Sequence, residues 1–599
     1  MSYLIDLGKK IPYEKRKKLI FLSVFSLISA ALQVLNVALL VPFLESISNP
    51  LKFIQKYPYL ETIGFNVQNI ILFSCLLFML LCIVSGFARV KINDYSNYIS
   101  VDIACNLSDK VTESVEAQSY SWHVKNDSSS ILSTLTNNLD QTSGLITTLA
   151  VFIPNILLIV VLFSSLIALE PKVIGFVMIM MSLFYYISFK LNAEKVIRIG
   201  RERITYNKNM IAWIQAMLKS IKTIKIENNS QFFLDKISSS NRIFRESKAK
   251  NKIIQETPKF LVEPFFICTV LLIIIIYDFQ GLSLQKLAEP LALLAFGFTK
   301  LIQPIQKIYQ TSNSIKNSKP AVKSVISMIN LMKESKESIY TPIPNDKSLH
   351  IDTDKLLDKS DPPLLTINNL SYKYNCDDRY ILNDINFHIN KGDTIALVGE
   401  TGSGKSTLLD LLMGLLTPTE GEILFSGNNI QSTLSNWKNK FAYVPQELTF
   451  THDSIANNIA FYRSEKVDIS KVSSLIKTVN LSGYIDSLEN KLDSYIEENG
   501  LNLSGGQRQR LCIARALYKR TNIIFLDEAT SALDNNTESL VMNNLHEMGA
   551  TIILIAHRLS TTKNCSKILY LENGHIASSG TYDELMTSSR QFRKLVHQA

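Results

Sequence analysis

The sequence predicts a helical membrane domain of six spans, followed by an α/β domain built to hold phosphate groups. Apolar stretches of span length recur through the first 330 of the 599 residues, and residues 331–363 form a polar, proline-containing break. Beyond the break, a glycine-rich loop stands between a buried-strand pattern and a helical pattern. We therefore divide the chain into a membrane domain at 1–330, a linker at 331–363 and a phosphate-binding domain at 364–599.

Six apolar stretches are long enough, or nearly so, to cross the hydrocarbon core of a bilayer, which takes about 20 residues. They are Leu19–Ile47, Ile70–Phe87, Leu145–Leu169, Val173–Phe189, Leu261–Tyr277 and Leu287–Ile305. One of them alone could be a buried helix of a soluble protein, but six together indicate a membrane domain. The first stretch lacks a small-residue cleavage site, so we expect it to remain as an anchor.

Basic residues set the expected orientation. The net charge of +9 arises from 62 Lys and Arg against 53 Asp and Glu, with most of the excess in loops that flank the apolar stretches. A basic run between Lys9 and Lys18 precedes the first span, so we expect the N-terminus and the phosphate-binding domain in the cytoplasm. This distribution favours membrane topology over nucleic-acid binding. The seven cysteines have neither disulfide nor zinc spacing.

Two long connections, 88–140 and 190–255, carry apolar residues at helical spacing. We interpret them as spans that continue into the cytoplasm and turn at short crosswise segments around Tyr120–Val124 and Ala216–Ile224. Between the first two spans, Asn49–Asn66 mixes aromatic residues with lysines. This segment is either an interfacial amphipathic helix or an ordinary external loop.

The glycine-rich loop matches the P-loop pattern and joins the strand-like run Thr394–Val398 to an apolar helix. It comprises Gly399, Glu400, Thr401, Gly402, Ser403, Gly404, Lys405 and Ser406, followed by Thr407. Backbone N–H groups of such a loop wrap a nucleotide β-phosphate, and the lysine adds charge at the β- and γ-phosphates. The Ser406 hydroxyl would bind Mg²⁺.

A second pattern, Walker B, is an apolar strand that ends in two acids. Ile523–Leu526 is followed by Asp527 and Glu528. Asp527 would orient Mg²⁺, and Glu528 would polarise the attacking water. Because many strands end in acids, this pattern gains its weight from the P-loop upstream.

The segment Leu503–Gln507 reads Leu-Ser-Gly-Gly-Gln and precedes an Ala- and Leu-rich helix. Here the sequence resembles the ATP-binding cassette (ABC) superfamily, whose signature this is. The resemblance implies ATP as the nucleotide and two cassettes joined by two ATP molecules. It implies that each signature faces the γ-phosphate bound on the opposite subunit, through Ser504, Gly505, Gly506 and Gln507.

The resemblance assigns further residues by position. Tyr374 matches the aromatic residue that stacks on adenine, Asp534 the subunit-crossing loop and His557 the switch histidine at the γ-phosphate. Gln446 matches the lid glutamine. The implied catalytic residues are Glu528, His557 and Gln446, and the implied Mg²⁺ ligands are Ser406, Gln446 and Asp527.

Six spans fused to one C-terminal cassette resemble an exporter-type half-transporter with type IV, domain-swapped dimer architecture. One P-loop and one signature in the chain imply a dimer. Because Glu528 and the signature are both intact, a homodimer would have two complete sites, although a heterodimer stays open. Glu497 stands where exporters often carry the glycine of a Gly-Glu pair, so we expect altered loop geometry there with hydrolysis retained.

The first spans and Asn49–Asn66 resemble bacterial flippases of lipid-linked oligosaccharides. The resemblance implies an amphipathic or anionic lipid-like cargo in the bacterial inner membrane, with a peptide or multidrug exporter as the alternative. Basic residues near the cytoplasmic span ends either attract an anionic headgroup or only reflect membrane topology. They are Arg89, Lys91, Lys259 and Lys300. A soluble ABC ATPase would lack spans, whereas a gated channel or sensor would share the architecture.

Overall fold

The chain forms two compact units, Met1–Pro342 and Ile343–Ala599. The structure is a computed structural model. It describes residues 2–39, 42–43, 46–47, 50–56, 67–169, 171–280, 288–334, 363–374, 379–461, 466–497, 500–519, 521–529, 532–556 and 558–598. The linker predicted at 331–363 lies mostly outside these residues, and the exact domain boundaries stay a prediction.

Long helices dominate the first unit. In chain order the described helices are α1 (Ser2–Lys10), α2 (Tyr13–Ala38), α3 (Pro50–Lys56), α4 (Val67–Glu116), α5 (Tyr120–Lys125), α6 (Ser128–Ser133), a π-helical turn (Thr134–Asn138), α7 (Leu139–Ala150), α8 (Phe152–Leu169), α9 (Pro171–Lys219), α10 (Ile221–Glu227), α11 (Ser230–Phe279) and α12 (Ala288–Glu334). At 1.5 Å per residue, the 50 residues of α4 extend about 75 Å, more than twice the hydrocarbon thickness. The prediction that spans continue well past the bilayer is confirmed.

Five stretches of the described residues are helical, long and apolar enough to cross a membrane. They are Tyr13–Asn36, Asn69–Glu116, Ser128–Ser164, Ile174–Lys219 and Ser230–Phe279. The sixth predicted span falls on the first half of α12, except for Leu287, which lies outside the described residues. The third span is broken at Val151, between α7 and α8. The chain is thus a multi-pass membrane protein, as the hydropathy pattern predicts.

Short helices stand at both predicted crosswise turns. Ser119 begins α5 as its N-cap, because its side chain accepts a hydrogen bond from the Trp122 N–H. The second turn helix, α10, starts at Ile221, five residues later than the predicted start, because α9 continues to Lys219. Of the external segment at 49–66, α3 is helical, and residues 57–66 lie outside the described part.

The close approach of α9 and α12 depends on a glycine. A Cβ atom on Gly200 would lie 2.4 Å from the backbone oxygen of Asn317. Any side chain there would push the two helices apart, because real Cβ atoms do not come this close to a backbone oxygen. On the same helix, Gly175 has nothing within 4 Å of its Cβ position.

The second unit is built on sheets. Its strands are β1 (Leu365–Tyr372), β2 (Leu382–Ile389), β3 (Thr394–Gly399), β4 (Glu420–Phe425), β5 (Asn428–Asn429), β6 (Phe441–Val444), β7 (Asp453–Ser454), β8 (Tyr495–Ile496), β9 (Ile523–Asp527), β10 (Thr551–Ile555), β11 (Lys567–Glu572) and β12 (His575–Gly580). Its helices are α13 (Lys405–Leu412), α14 (Leu434–Lys440), α15 (Ile455–Ala460), α16 (Ile469–Thr478), α17 (Ser482–Asp486), α18 (Gly505–Leu517), α19 (Asn535–Glu547), α20 (Leu559–Thr562), α21 (Tyr582–Ser588) and α22 (Arg590–Gln598). An antiparallel sheet has the order β2-β1-β4-β5, and a larger sheet has the order β12-β11-β3-β10-β9-β6.

The larger sheet is parallel except for β12, and both of its faces are buried. Along β10, Ile552 and Leu554 belong to one hydrophobic cluster, whereas Ile553 and Ile555 belong to another on the opposite face. Alternate side chains of a strand point to opposite faces, so a strand buried on both sides must be apolar throughout. This requirement explains the uninterrupted apolar runs in the sequence.

We predict that Gly200→Ala lowers the thermal stability of the detergent-solubilised chain, by about 1–3 kcal/mol, because the methyl group forces α9 away from α12. The matched control is Gly175→Ala, which has free space and should be neutral or stabilising, since a helical glycine costs roughly 0.5–1 kcal/mol relative to alanine. Melting curves of the two variants give the comparison. A Gly200→Ala melting temperature equal to or above that of Gly175→Ala would contradict the packing.

Candidate functional site

The candidate nucleotide site lies where the parallel strands of the larger sheet end. The P-loop follows β3, Asp527 ends β9, and β10 stands between these two strands. The register sets Asp527 level with Ile555, the last residue of β10. The carboxyl ends of parallel strands meet at one edge, which is where open α/β sheets bind ligands. His557 follows β10 at this edge in sequence but lies outside the described residues.

The P-loop turns tightly from β3 into α13. Gly404 is the N-cap of α13 with φ +101°, a left-handed conformation that favours glycine. A Cβ atom on Gly404 would also lie 2.7 Å from the Leu382 side chain. The loop therefore packs against β2, and its N–H groups stand at the start of a helix, where an anion is stabilised.

Lys405 is folded over the loop. Its ammonium donates hydrogen bonds to the carbonyl oxygens of Gly399 at 2.9 Å and Glu400 at 2.8 Å. Burial lowers the pKa of this ammonium, and the Glu528 carboxylate opposes that shift. The buried hydroxyl of Ser403 has no hydrogen-bond partner among the described residues. A buried hydroxyl without a described partner and a buried cation, beside the backbone N–H groups at the start of a helix, fit a phosphate group.

Two predicted catalytic residues meet at the neighbouring strand ends. The Gln446 amide donates a hydrogen bond to a carboxylate oxygen of Glu528 at 2.8 Å. Glu528 has φ +52°, a left-handed conformation that is uncommon outside glycine and tends to occur at functional positions. The Ser406 hydroxyl lies at the start of α13 and the Asp527 carboxylate at the end of β9. The candidate metal ligands are therefore oxygen atoms, which Mg²⁺ prefers.

The signature residues form the N-terminal cap of α18. Ser504 is the N-cap of α18, and its side chain accepts from the Gln507 N–H at 3.3 Å. The Gln507 side chain accepts from the Ser504 N–H at 2.8 Å, which completes a capping box. No hydrogen bond joins residues 504–507 to the loop 399–407 in the described part of the chain. The hydrogen bonds of the signature are thus made within its own helix start, and those of Lys405 within the P-loop.

Asp534 performs a local structural task in this chain. Its carboxylate accepts from the Thr537 N–H at 3.0 Å and caps α19. The hydrogen bond from this N–H holds the pKa of Asp534 below its ordinary value. Tyr374 is exposed and packs edge-on against Tyr372 at a centroid distance of 5.1 Å, so one ring face is accessible.

The sequence patterns did not predict the roles of two charged residues of the cassette, Arg515 and Asp410. Arg515, on α18, donates to the carbonyl oxygens of Thr449 and Asn458, each at 2.9 Å, and stands over the rings of Phe450 and Phe461. It fixes the segment after Gln446 against the signature helix. A lone arginine within the apolar run of that helix is the signal that could have found it.

Asp410 lies on α13 behind the P-loop. Burial raises the pKa of its carboxyl to about 6, and the nearby Asp527 carboxylate adds to the effect. An isolated acid in the apolar run Leu408–Met413 is the corresponding signal in the sequence.

The membrane unit holds a large polar cavity of about 580 Å³. Three basic residues line it, Arg89 from α4 with Lys259 from α11 and Lys307 from α12. None of its described lining residues is acidic. The rest of the wall carries many hydroxyl and amide groups, from Ser26, Ser29, Gln33, Asn93, Ser96, Asn97, Thr147, Thr148, Asn155, Gln303, Gln306 and Gln310.

Several charged and polar groups of the cavity wall have no ion-pair or hydrogen-bond partner among the described residues. All three basic side chains are exposed, and no ion pair with an acid involves them among the described residues. The buried oxygens of Ser29, Ser96 and Gln306 lack hydrogen-bond partners in the same part of the chain. Of the four basic residues singled out in the sequence, Arg89 and Lys259 line the cavity, whereas Lys91 and Lys300 are absent from its described lining.

Membrane-spanning helices followed by a phosphate loop and an acid pair on one parallel sheet define a membrane protein with a nucleotide-hydrolysing domain. Two family models give that class its name. The model "ABC transporter transmembrane region" matches residues 19–277, and the model "ABC transporter" matches residues 382–531. The chain belongs to the ABC transporter superfamily, and its cassette is an ATP-binding, ATP-hydrolysing one, as predicted.

Individual relatives agree with this assignment. The chain is 41% identical over 236 residues to the ATP-dependent lipid A-core flippase of Pasteurella multocida, covering 39% of this chain and 40% of that protein. It is 28% identical over 540 residues to the ATP-dependent lipid A-core flippase of Saccharophagus degradans, covering 87% and 86%. The fold matches a bacterial Atm1-family ABC exporter solved with ATP bound, at TM-score 0.75 and 22% identity over 97% of this chain and 98% of that one. The exporter-type fold is confirmed.

We predict that Asp410→Asn raises the melting temperature of the nucleotide- and Mg²⁺-free protein at pH 8 but changes it little at pH 3.5. The folded pKa of about 6 lies above the ordinary value of 3.8, so the contribution of Asp410 to the free energy of unfolding is fully present below pH 3.8 and is lost as the pH rises through 6. The amide removes that loss. Asp486→Asn, at an exposed position, is the control and should give the same small effect at both pH values. A gain for Asp410→Asn that does not depend on pH would contradict the assignment.

Proposed function

We propose that this chain is half of an ATP-driven flippase that moves an amphipathic lipid with an anionic headgroup across the bacterial inner membrane. The cation-lined cavity carries this proposal. Three positive charges and a hydroxyl- and amide-rich wall, without an acid among the described lining residues, suit a phosphate or other anionic group that also carries hydroxyls.

The depth of the cavity fits a lipid headgroup. Arg89 follows the start of α4 at Val67 by 22 residues, and Lys259 precedes the end of α11 at Phe279 by 20 residues. Both charges therefore lie about 30 Å along the helices from their external ends, close to one bilayer thickness. With the expected cytoplasmic N-terminus, this depth corresponds to the headgroup layer of the cytoplasmic leaflet.

The relatives support a lipid as the cargo. Several curated proteins that align with this chain are ATP-dependent lipid A-core flippases, including the relative that aligns over most of its length. A cationic or neutral drug would gain nothing from three basic residues that form no ion pair with a described acid, which is why we favour an anionic lipid over a multidrug cargo. An acidic peptide is the remaining alternative, and the experiment below separates it from a lipid.

The nucleotide site supports ATP hydrolysis with Mg²⁺. Ser406, Gln446 and Asp527 would hold the ion, which when bound neutralises charge between the β- and γ-phosphates. Lys405 would leave its loop carbonyls for the phosphates, and Glu528 would take the proton of the attacking water. His557 would contact the γ-phosphate, as the resemblance implies. Gln446, already hydrogen-bonded to Glu528, would link the ion to the base.

A homodimer would complete the chemistry. No hydrogen bond joins Ser504–Gln507 to Gly399–Ser406 among the described residues, and a second copy would bring its signature to the first chain's P-loop. Backbone N–H groups at the start of α18 would then face the γ-phosphate. We propose that the cassette lies in the cytoplasm, where ATP is, in agreement with the basic residues before the first span.

We predict that Glu528→Gln lowers the ATPase rate by about 100-fold or more while ATP binding is retained, because general-base catalysis contributes roughly 10²–10⁴-fold. The variant should accumulate as a closed ATP-bound dimer. ATPase rates and nucleotide retention on the purified protein measure both effects. Glu489→Gln, at an exposed position on the same domain, is the control. A normal rate in Glu528→Gln would assign the base elsewhere.

We predict that the double variant Lys259→Gln/Lys307→Gln loses cargo-stimulated ATPase and translocation while basal ATPase is kept. Liposomes with a phosphorylated glycolipid, a neutral glycolipid of the same chain length, or an acidic peptide serve as cargo probes. Stimulation by the phosphorylated lipid alone, abolished in the double variant, is the expected result. Lys91→Gln, outside the described lining, should behave as wild type. Equal loss of basal and stimulated activity, or stimulation by the peptide alone, would overturn the lipid assignment.

A further inference from the structure

The segment after the Walker B acids is held against the signature of the same chain. The side-chain oxygen of Gln509, on α18, accepts a hydrogen bond from the Ala532 N–H at 2.9 Å. Gln509 is only 6% exposed, whereas Ala532 is exposed, so the bond joins a buried acceptor to a backbone N–H at the surface. A buried amide group that is satisfied by a backbone N–H fixes the position of that backbone.

The signature glycines pack on the same point. A Cβ atom on Gly505 would lie 3.3 Å from the Ala532 Cβ, and one on Gly506 would lie 3.3 Å from the Ala532 carbonyl oxygen. The absence of side chains at these glycines lets Ala532 rest directly on the first turn of α18. The hydrogen bond to Gln509 then fixes the position of Ala532 along the axis of α18.

The other side of the segment is held from the end of β10. The Arg558 guanidinium donates a hydrogen bond to the Leu533 carbonyl oxygen, and it lies 4.0 Å from the Glu538 carboxylate. Glu538 is buried and also accepts from the Thr561 hydroxyl at 2.6 Å. Arg558 is the residue after His557, the expected γ-phosphate contact. One short segment therefore lies between the signature helix and the residues that follow β10.

We propose that Gln509 is a positioning residue, which locks the crossing segment Ala532–Asp534 to the signature so that the two act as one body on the second chain's nucleotide. The proposal rests on the proposed dimer. There, the cradle Gly399–Ser406 serves one ATP and the signature serves the other. Within one chain, the hydrogen bonds from Arg558 to Leu533 and from Ala532 to Gln509 then connect the two nucleotide sites, so that a movement at one site is transmitted to the other.

The chemistry of the contact separates a hydrogen-bond role from simple filling of space. Gln509→Glu keeps a carboxyl oxygen that accepts from the Ala532 N–H, at the cost of burying an acid. Gln509→Met keeps the length and the apolar packing and removes the acceptor. A packing role favours methionine over glutamate at a buried position, whereas a positioning role favours glutamate.

The test measures kcat and KM for ATP on the full-length chain in nanodiscs. We expect Gln509→Met to lower kcat by about tenfold or more, as misplaced groups do, with the KM for ATP changed less than about threefold. Gln509→Glu should keep at least half of the wild-type kcat. A methionine variant with wild-type kcat, or a glutamate variant that loses as much as the methionine one, overturns the proposal.

A second readout does not depend on turnover. In the nucleotide-free protein, hydrogen exchange in peptides that contain Ala532 should speed up about fivefold in Gln509→Met, the equivalent of one hydrogen bond, and stay near wild type in Gln509→Glu. Peptides from the P-loop should not change in either variant. Unchanged exchange at Ala532 in Gln509→Met overturns the proposal even if that variant is inactive. Loss of ATPase in the wild-type protein itself would count against the proposed function, and not against this contact.

Discussion

The parallel pairing of β3, β10 and β9 is the constraint on which the nucleotide site depends. The central strand, β10, is buried on both faces, and its neighbours end at the same edge of the sheet. Because strands lie about 4.8 Å apart, this order sets the P-loop and the Walker B acids about 10 Å from each other, with the end of β10 between them. The Glu528 carboxylate consequently favours the charged form of Lys405, and Gln446, which follows β6, donates a hydrogen bond to Glu528.

Burial of polar groups is the second recurring theme, and both units contain buried polar atoms with and without hydrogen-bond partners. In the cassette, the buried side chains of Gln509 and Glu538 are satisfied by the Ala532 N–H and the Thr561 hydroxyl. The buried Ser403 hydroxyl of the P-loop has no hydrogen-bond partner among the described residues. In the membrane unit, polar atoms of Ser29, Ser96 and Gln306 are buried without a hydrogen-bond partner in the described part of the chain, in a cavity that exposed basic residues also line. Burial of an unsatisfied polar atom costs free energy, and a polar ligand bound in the cavity would satisfy these three atoms.

The sequence motifs could be recognised because each of them lies within one strand–loop–helix unit. The P-loop, the Walker B acids and the signature all needed only the few residues on either side, and the spans needed only their length. Both crosswise turn helices were also predicted, although α10 begins five residues late. Helix ends depend on capping and packing, and the boundary between α9 and α10 has no strong capping signal: Ser220 makes no side-chain cap.

The roles of residues that contact a segment distant in the chain could not be predicted from the sequence. Lys307 lies past the predicted end of the sixth span, and only the convergence of α4, α11 and α12 brings it to Arg89 and Lys259. Arg515 and Gln509 look like ordinary polar residues of one helix until Thr449 and Ala532 are seen against them. The contact partners are separated by 66 and 23 residues, and nothing in the spacing encodes their meeting.

The sequence by itself determined the membrane and nucleotide-binding modules, the phosphate loop and the acids, because short-range periodicity and backbone chemistry impose those patterns. The tertiary structure decided which charges share a cavity and which loops are tied together. These choices follow from side-chain packing between elements far apart in the chain, where the free energy of a contact depends on partners that local sequence does not specify.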